Sequence, residues 1–156
     1  MKKLFVILTV LMLSVVSNVS HAQTQDETFN TVFKMEKRKY FSDNMHLKGA
    51  DFDTFWNMYA SFEEKRSSLG KERMEMLKEY VEKYQTLTNE DADRIMKKWL
   101  CIEKKDDKLR KKYYCKMKKA LGAKTAAHFV QLDDYIQTAI QFEILEELPF
   151  IGEFSN

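Results

Sequence analysis

The stretch DFDTFWNMYASF, residues 51–62, decides the fold, because its aromatic side chains recur at the spacing of an α-helix. Apolar residues three and four positions apart lie on one face of a helix. Such a wide stripe is more typical of a buried helix face than of a ligand cage. It predicts a long helix from near Ala50 towards Tyr84, with a core face made of Phe52, Phe55, Trp56, Tyr59 and Phe62.

Apolar residues at helical spacing continue on both sides of this helix. They predict a first helix over about 27–45, a third that begins at Thr88, and a fourth over about 123–148. One proline and four glycines in 156 residues leave little to interrupt such helices, although Gly70 lies inside a helical pattern and can mark a bend. We therefore predict an all-α protein of about four long amphipathic helices in a hairpin-like bundle.

The N-terminal residues 1–22 have the pattern of a cleavable secretory signal peptide. Lys2 and Lys3 precede an uncharged apolar stretch, and Ser20-His21-Ala22 offers a small-residue cleavage site. The apolar stretch is shorter than the about 20 residues that a membrane-spanning helix needs. We therefore expect residues 23–156 to form a single helical domain that is exported to the periplasm and does not span the membrane.

Charge is unevenly placed along this mature chain, although removal of Lys2 and Lys3 with the signal leaves 24 basic against 24 acidic residues. Nine basic residues lie between Lys104 and Lys119, and no Lys or Arg follows Lys124. The third and fourth helices can form a hairpin whose charges attract each other. Alternatively, the lysine face binds acidic partners, unfolded segments or anionic lipid headgroups. The candidate partner-binding residues are Lys105, Lys108, Lys112, Tyr113, Tyr114 and Lys116.

The sequence shows no motif of nucleotide binding, nucleophilic catalysis or a metal-binding helix. Only His46 and His128 remain after removal of the signal, so a zinc site needs both, together with carboxylates or thiols from distant helices. We expect no enzymatic activity and no cofactor, and nucleic acid is not an expected partner of an exported protein. A metal-binding periplasmic protein is the less favoured alternative.

Two cysteines in an exported chain raise the question of a disulfide. If Cys101 and Cys115 lie on one unbroken helix, they are about 21 Å apart, because each residue adds about 1.5 Å. A disulfide tolerates about 7 Å between the Cα atoms. We therefore expect either two free, half-buried thiols or a pairing across a dimer.

The tail after Pro149 is apolar, since it contains Phe150, Ile151 and Phe154. Either it folds back onto the bundle, or it docks on another subunit or on a membrane surface.

Two stretches share a leucine, a short cap and an aromatic amphipathic helix. One is Leu47-Lys48-x-x-Asp51 with Phe55, Trp56 and Tyr59, and the other is Leu87-Thr88-x-x-Asp91. The pattern resembles the Leu-Thr-x-x-Gln helix starts of the Spy/CpxP family of periplasmic proteins, and in particular its sensors associated with ECF-type sigma factors. The second stretch has Asp in place of Gln, and the first has also lost the threonine.

The resemblance implies an extended, curved helical cradle, usually an antiparallel homodimer, that binds unfolded client proteins or an envelope sensor protein without nucleotide. It implies an ATP-independent chaperone or a regulator of the envelope stress response. In that family the motif residues are structural, because they cap helices. The alternative is a dedicated regulatory or structural module that docks on one membrane sensor.

Overall fold

The computed structural model describes residues 33–151, and within this range the protein is all-α, as predicted. Residues 33–45 form helix α1, Gly49–Lys83 form α2, Asn89–Leu121 form α3 and Ala123–Glu147 form α4. A single 3-10 turn, Tyr84–Thr86, follows α2. The predicted bounds of α2 and α4 and the predicted start of α3 agree with these to within about one residue. The predicted signal peptide and the start of the first helix lie outside the described residues.

The described residues divide into two compact units at His46. The first contains α1, whose buried side chains are Lys37, Phe41 and Met45, spaced four residues apart. Phe33 and Tyr40, which the helical pattern of the sequence groups with Lys37, are only half-buried. The basic run Lys37-Arg38-Lys39 suggests a solvated face; Arg38 and Lys39 are exposed, but for Lys37 this expectation is wrong.

The second unit begins at Leu47 and is a bundle of α2, α3 and α4. The ion pairs Arg73–Glu103 and Lys83–Asp91 show that α3 is antiparallel to α2, because the partner's number falls as the residue number on α2 rises. The hydrogen bonds from Arg66 to Asp133 and from Tyr80 to Pro149 show that α4 runs parallel to α2. The bundle therefore has an up–down–up topology.

The core of the bundle has an aromatic part and an aliphatic part. In the aromatic part, the Phe62 ring centroid lies 5.3 Å from that of Tyr113 and 5.2 Å from that of Phe129, which joins all three helices. Phe52, the first residue of the predicted stripe, lies at its edge and is 41% exposed. The aliphatic part contains Met76, Leu77, Tyr80, Ile95 and Ile102, with Trp99, Ile144 and Leu148 packed against it.

The helix ends show why the chain turns where it does. Thr88 caps α3, since its side-chain oxygen accepts a hydrogen bond from the Asp91 N–H at 3.1 Å. Lys48 occupies the same position before α2 and makes no side-chain cap. A single residue, Gly122, separates α3 from α4, and its φ of 86° and ψ of 162° belong to a region that is essentially restricted to glycine. Helix α2 continues through Gly70.

Candidate partner-binding surface

The predicted lysines line the outside of α3. Lys105, Lys108, Lys112 and Lys116, which we call the lysine surface, are all exposed. Lys105 donates a hydrogen bond of 2.6 Å to Glu72 of α2, and this bond raises the pKa of the Lys105 ammonium. The ion pairs between described residues include none of the other three. Most of the lysine surface therefore keeps its charge available to solvent.

The two predicted tyrosines lie differently from the lysines. Tyr113 is 1% exposed and packs in the aromatic core, where its hydroxyl and that of Ser61 are hydrogen-bonded at 2.8 Å. The ammonium of Lys116 lies 5.0 Å from the centroid of the Tyr113 ring, so it covers that ring from outside. Tyr114 is half-buried. The structure therefore brings the four lysines and Tyr114 to the surface, whereas the expectation that Tyr113 contacts a partner is wrong, because its side chain is buried in the core.

Both acidic residues of the same stretch of α3 pair with arginines, Asp106 inside the bundle and Asp107 at its surface. Asp106 binds Arg66 of α2, and Asp107 binds Arg110 on its own helix at 2.5 Å. Arg110 also binds Asp134 of α4, which realises part of the predicted attraction between α3 and α4. Both carboxylates of this stretch are thus engaged in ion pairs with arginines, whereas its lysines remain exposed.

A buried charge cluster lies at the centre of the bundle, and sequence reasoning missed it. The Arg66 guanidinium donates two hydrogen bonds to the Asp106 carboxylate, at 2.9 and 2.8 Å, and a third to Asp133. Arg66 is 8% exposed and Asp133 is 0% exposed. The guanidinium carbon also lies 4.8 Å from the centroid of the Phe62 ring, one helical turn away. One arginine thereby joins α2 to both other helices.

Electrostatic interactions favour the charged forms of Arg66 and Asp106 despite their burial. Desolvation acts to raise the pKa of the Asp106 carboxyl, but its hydrogen bonds and attraction to Arg66 outweigh this and leave the pKa below its usual value. Desolvation likewise acts to lower the pKa of Arg66, and the two carboxylates more than offset it, so the pKa of Arg66 is raised. The signal for such a cluster was a charged residue on an apolar stripe, because Arg66 follows Phe62 and Asp133 follows Phe129 at four-residue spacing.

The residues of the repeated motif lie in different environments. Phe55, Trp56 and Tyr59 are buried in the core, Leu47 and Leu87 are half-buried, and Asp51 is exposed. Asp91 accepts hydrogen bonds from Thr88, Lys83 and Arg94, which joins the end of α2 to the start of α3. These hydrogen bonds, above all the one from Lys83, stabilise the ionised carboxylate of Asp91. The pKa of Asp91 therefore lies well below its usual range.

The residues that follow α4 fold back onto α2. The Tyr80 hydroxyl donates to the carbonyl oxygen of Pro149 at 2.6 Å, and the Tyr84 hydroxyl donates to that of Phe150 at 2.9 Å. The first of the two predicted alternatives for the tail is therefore correct for residues 149–150. Phe154 lies outside the described residues.

The two cysteines lie on the unbroken helix α3, so the predicted separation applies and they cannot pair with each other. Both are free, and both are exposed, whereas we expected half-buried thiols. In residues 33–151 no three His, Cys, Asp or Glu side chains form a group that could hold a metal ion. Within the same range no helix is both long enough and apolar enough to cross a membrane.

Comparison of the chain with protein-family models, with curated proteins and with solved structures gives no match.

Proposed function

We propose that this chain is an exported helical protein that binds segments of other proteins through the lysine surface of α3, without nucleotide. The single observation that carries the proposal is that the acidic residues of this part of α3 are paired, whereas most of its lysines are not. The bundle buries or pairs both acidic residues between Lys104 and Lys119 and leaves Lys108, Lys112 and Lys116 exposed. A positive surface that the protein does not neutralise itself attracts acidic partners.

The same helix also exposes apolar side chains, which suits partly unfolded partners. Met96 is 43% exposed and Leu100 is 61% exposed, one helical turn apart. Flexible methionine and lysine side chains can adapt to many partner sequences and bind each of them weakly. The proposal therefore favours a protein that binds clients, in the manner of the Spy/CpxP-like chaperones and envelope-stress regulators that the helix starts resemble.

The proposal is tested by measuring protection of client proteins from aggregation by residues 23–156, with several unrelated unfolding clients. The variant Lys108→Glu/Lys112→Glu reverses two charges of the lysine surface, and Lys34→Glu/Lys71→Glu makes the same change at exposed lysines outside α3. We expect the first variant to need about tenfold more protein for equal protection, since each charge contributes at most about 1 kcal/mol. The second should behave as the parent does.

Salt gives an independent measurement, because ions screen exposed charges. Protection should weaken when salt is raised from about 0.05 to about 0.5 M, where the screening length is only a few ångströms. If no client is protected, but one sensor domain binds and Lys108→Glu/Lys112→Glu abolishes this binding, the dedicated module is the correct function. If both double variants protect equally well, the lysine surface is not the binding site.

A further inference from the structure

The end of α4 presents an apolar patch that the lysine surface does not include. Phe142 is 57% exposed, Leu145 47%, Phe150 72% and Ile151 50%. These four residues form what we call the C-terminal patch. An open cleft of about 550 Å³ lies there, lined by Phe142, Leu145, Glu146, Glu147, Leu148, Pro149 and Phe150. Large apolar side chains grouped in this way mark interaction sites more often than isolated ones do.

The backbone of the C-terminal patch is held in place. The hydrogen bonds from Tyr80 and Tyr84 to the carbonyl oxygens of Pro149 and Phe150 fix the chain just after α4. The two tyrosine rings support each other, with centroids 5.7 Å apart. A surface ordered before it binds loses less conformational entropy on binding. The main chain of the patch is anchored by these hydrogen bonds, whereas its apolar side chains are exposed. This combination is typical of a preformed contact surface.

Charge defines what the C-terminal patch can bind. Glu143, Glu146 and Glu147 lie on the same two turns of α4, and no Lys or Arg follows Lys124 in the chain. The ion pairs between described residues include none of these three glutamates. An apolar surface with a rim of carboxylates complements apolar side chains flanked by lysine or arginine. It repels anionic lipid headgroups.

We propose that the C-terminal patch binds a cationic amphipathic segment of a partner protein, with its apolar side chains against Phe142, Leu145 and Phe150 and its basic residues against Glu146 and Glu147. The segment has the opposite charge to the partners expected for the lysine surface, and the two surfaces lie on different helices. The C-terminal patch is thus a second binding surface, and each of the two can be disabled without the other.

The test uses residues 23–156 and two labelled synthetic peptides with the same pattern of leucines, one with lysines and one with glutamates at the polar positions. Binding is followed by fluorescence anisotropy. The variants Glu146→Gln/Glu147→Gln and Phe142→Ser/Phe150→Ser alter the rim and the apolar side chains. The control Met74→Ser/Glu64→Gln changes an exposed methionine and an exposed glutamate of α2, which belong to neither proposed surface.

We expect the lysine peptide to bind with a dissociation constant at least about tenfold lower than that of the glutamate peptide. Each of the two patch variants should weaken this binding by about tenfold, and the control should leave it unchanged. Lys108→Glu/Lys112→Glu should not weaken it, which separates this proposal from the function of the lysine surface.

Three results would overturn the proposal. The first is that the glutamate peptide binds as tightly as the lysine peptide. The second is that the patch variants bind the lysine peptide as tightly as the parent does. The third is that the lysine peptide binds only after removal of residues 152–156, which would show that the tail itself covers the patch.

Discussion

Replacement of Arg66 by methionine tests the role of the buried charge cluster. The change removes three hydrogen bonds and leaves the carboxylates of Asp106 and Asp133 facing each other without their cation. Asp133 is 0% exposed and the side chain of Asp106 is 14% exposed, so water reaches neither freely. Removal of one partner of a buried ion pair typically costs about 3–5 kcal/mol.

We therefore expect Arg66→Met to lose about 3–5 kcal/mol of the free energy of unfolding, which is a large part of the roughly 5–15 kcal/mol of a typical domain. The triple variant Arg66→Met/Asp106→Leu/Asp133→Leu removes all the charges together. It should recover most of the loss, because a buried ion pair replaced by apolar residues is often neutral or stabilising.

The assay is urea unfolding followed by circular dichroism at 222 nm, with the slope of the transition compared between variants. Lys97→Met is the matched control, because Lys97 forms an exposed ion pair with Asp93 and its loss should cost no more than about 0.5 kcal/mol. A loss below about 1 kcal/mol for Arg66→Met, or a triple variant less stable than the single one, would refute the reasoning.

Three further predictions concern stability measured in the same urea assay. Gly70→Ala should stabilise the protein by about 0.5–1 kcal/mol, because no atom lies within 4 Å of the added Cβ and α2 is continuous there. Gly122→Ala should instead destabilise it by about 1–3 kcal/mol, because φ is 86° at this position. Equal effects at the two sites would contradict this prediction. Lys48→Thr should stabilise α2 by about 1 kcal/mol, because it creates the cap that Thr88 supplies to α3, whereas Lys48→Ala should not. Because the pKa of Asp106 is lowered in the folded state, its stabilisation is present above its unfolded pKa of about 4 and is lost as the pH falls through the folded value. Asp106→Asn should therefore be less stable than the parent at neutral pH but lose less stability on acidification, and parallel pH curves would contradict this.

Local patterns were sufficient to predict the helices, because helix boundaries depend on nearby residues. The start of α3 at Thr88 and the buried aromatic stripe of α2 could both be predicted from the sequence. Tyr113 shows the limit of that reasoning. It belongs to the apolar line of α3 that runs to Met117, and this burial signal outweighs the lysines beside it.

Long-range pairing could not be predicted from the sequence alone. Arg66 and Asp133 are 67 positions apart, and Lys105 and Glu72 are 33 apart. Periodicity states which face a residue occupies but not which residue lies opposite, since that depends on the register between helices. The same limit applies to Lys37, which is buried although it begins a run of three basic residues that suggests a solvated face.

The register of the bundle also explains why the protein has two surfaces of opposite charge. Asp106 of α3 pairs with Arg66 of α2, and Asp134 of α4 pairs with Arg110 of α3. The acidic residues nearest the lysines therefore form ion pairs between the helices. The other acidic residues of this part of α4, Glu143, Glu146 and Glu147, lie about 2.5–3.6 turns after Asp134, beyond any Lys or Arg in the chain. The sequence already separates these charges along the chain, since no Lys or Arg follows Lys124. Folding increases the contrast, because it pairs the acidic residues nearest the lysines with arginines and leaves the lysines exposed.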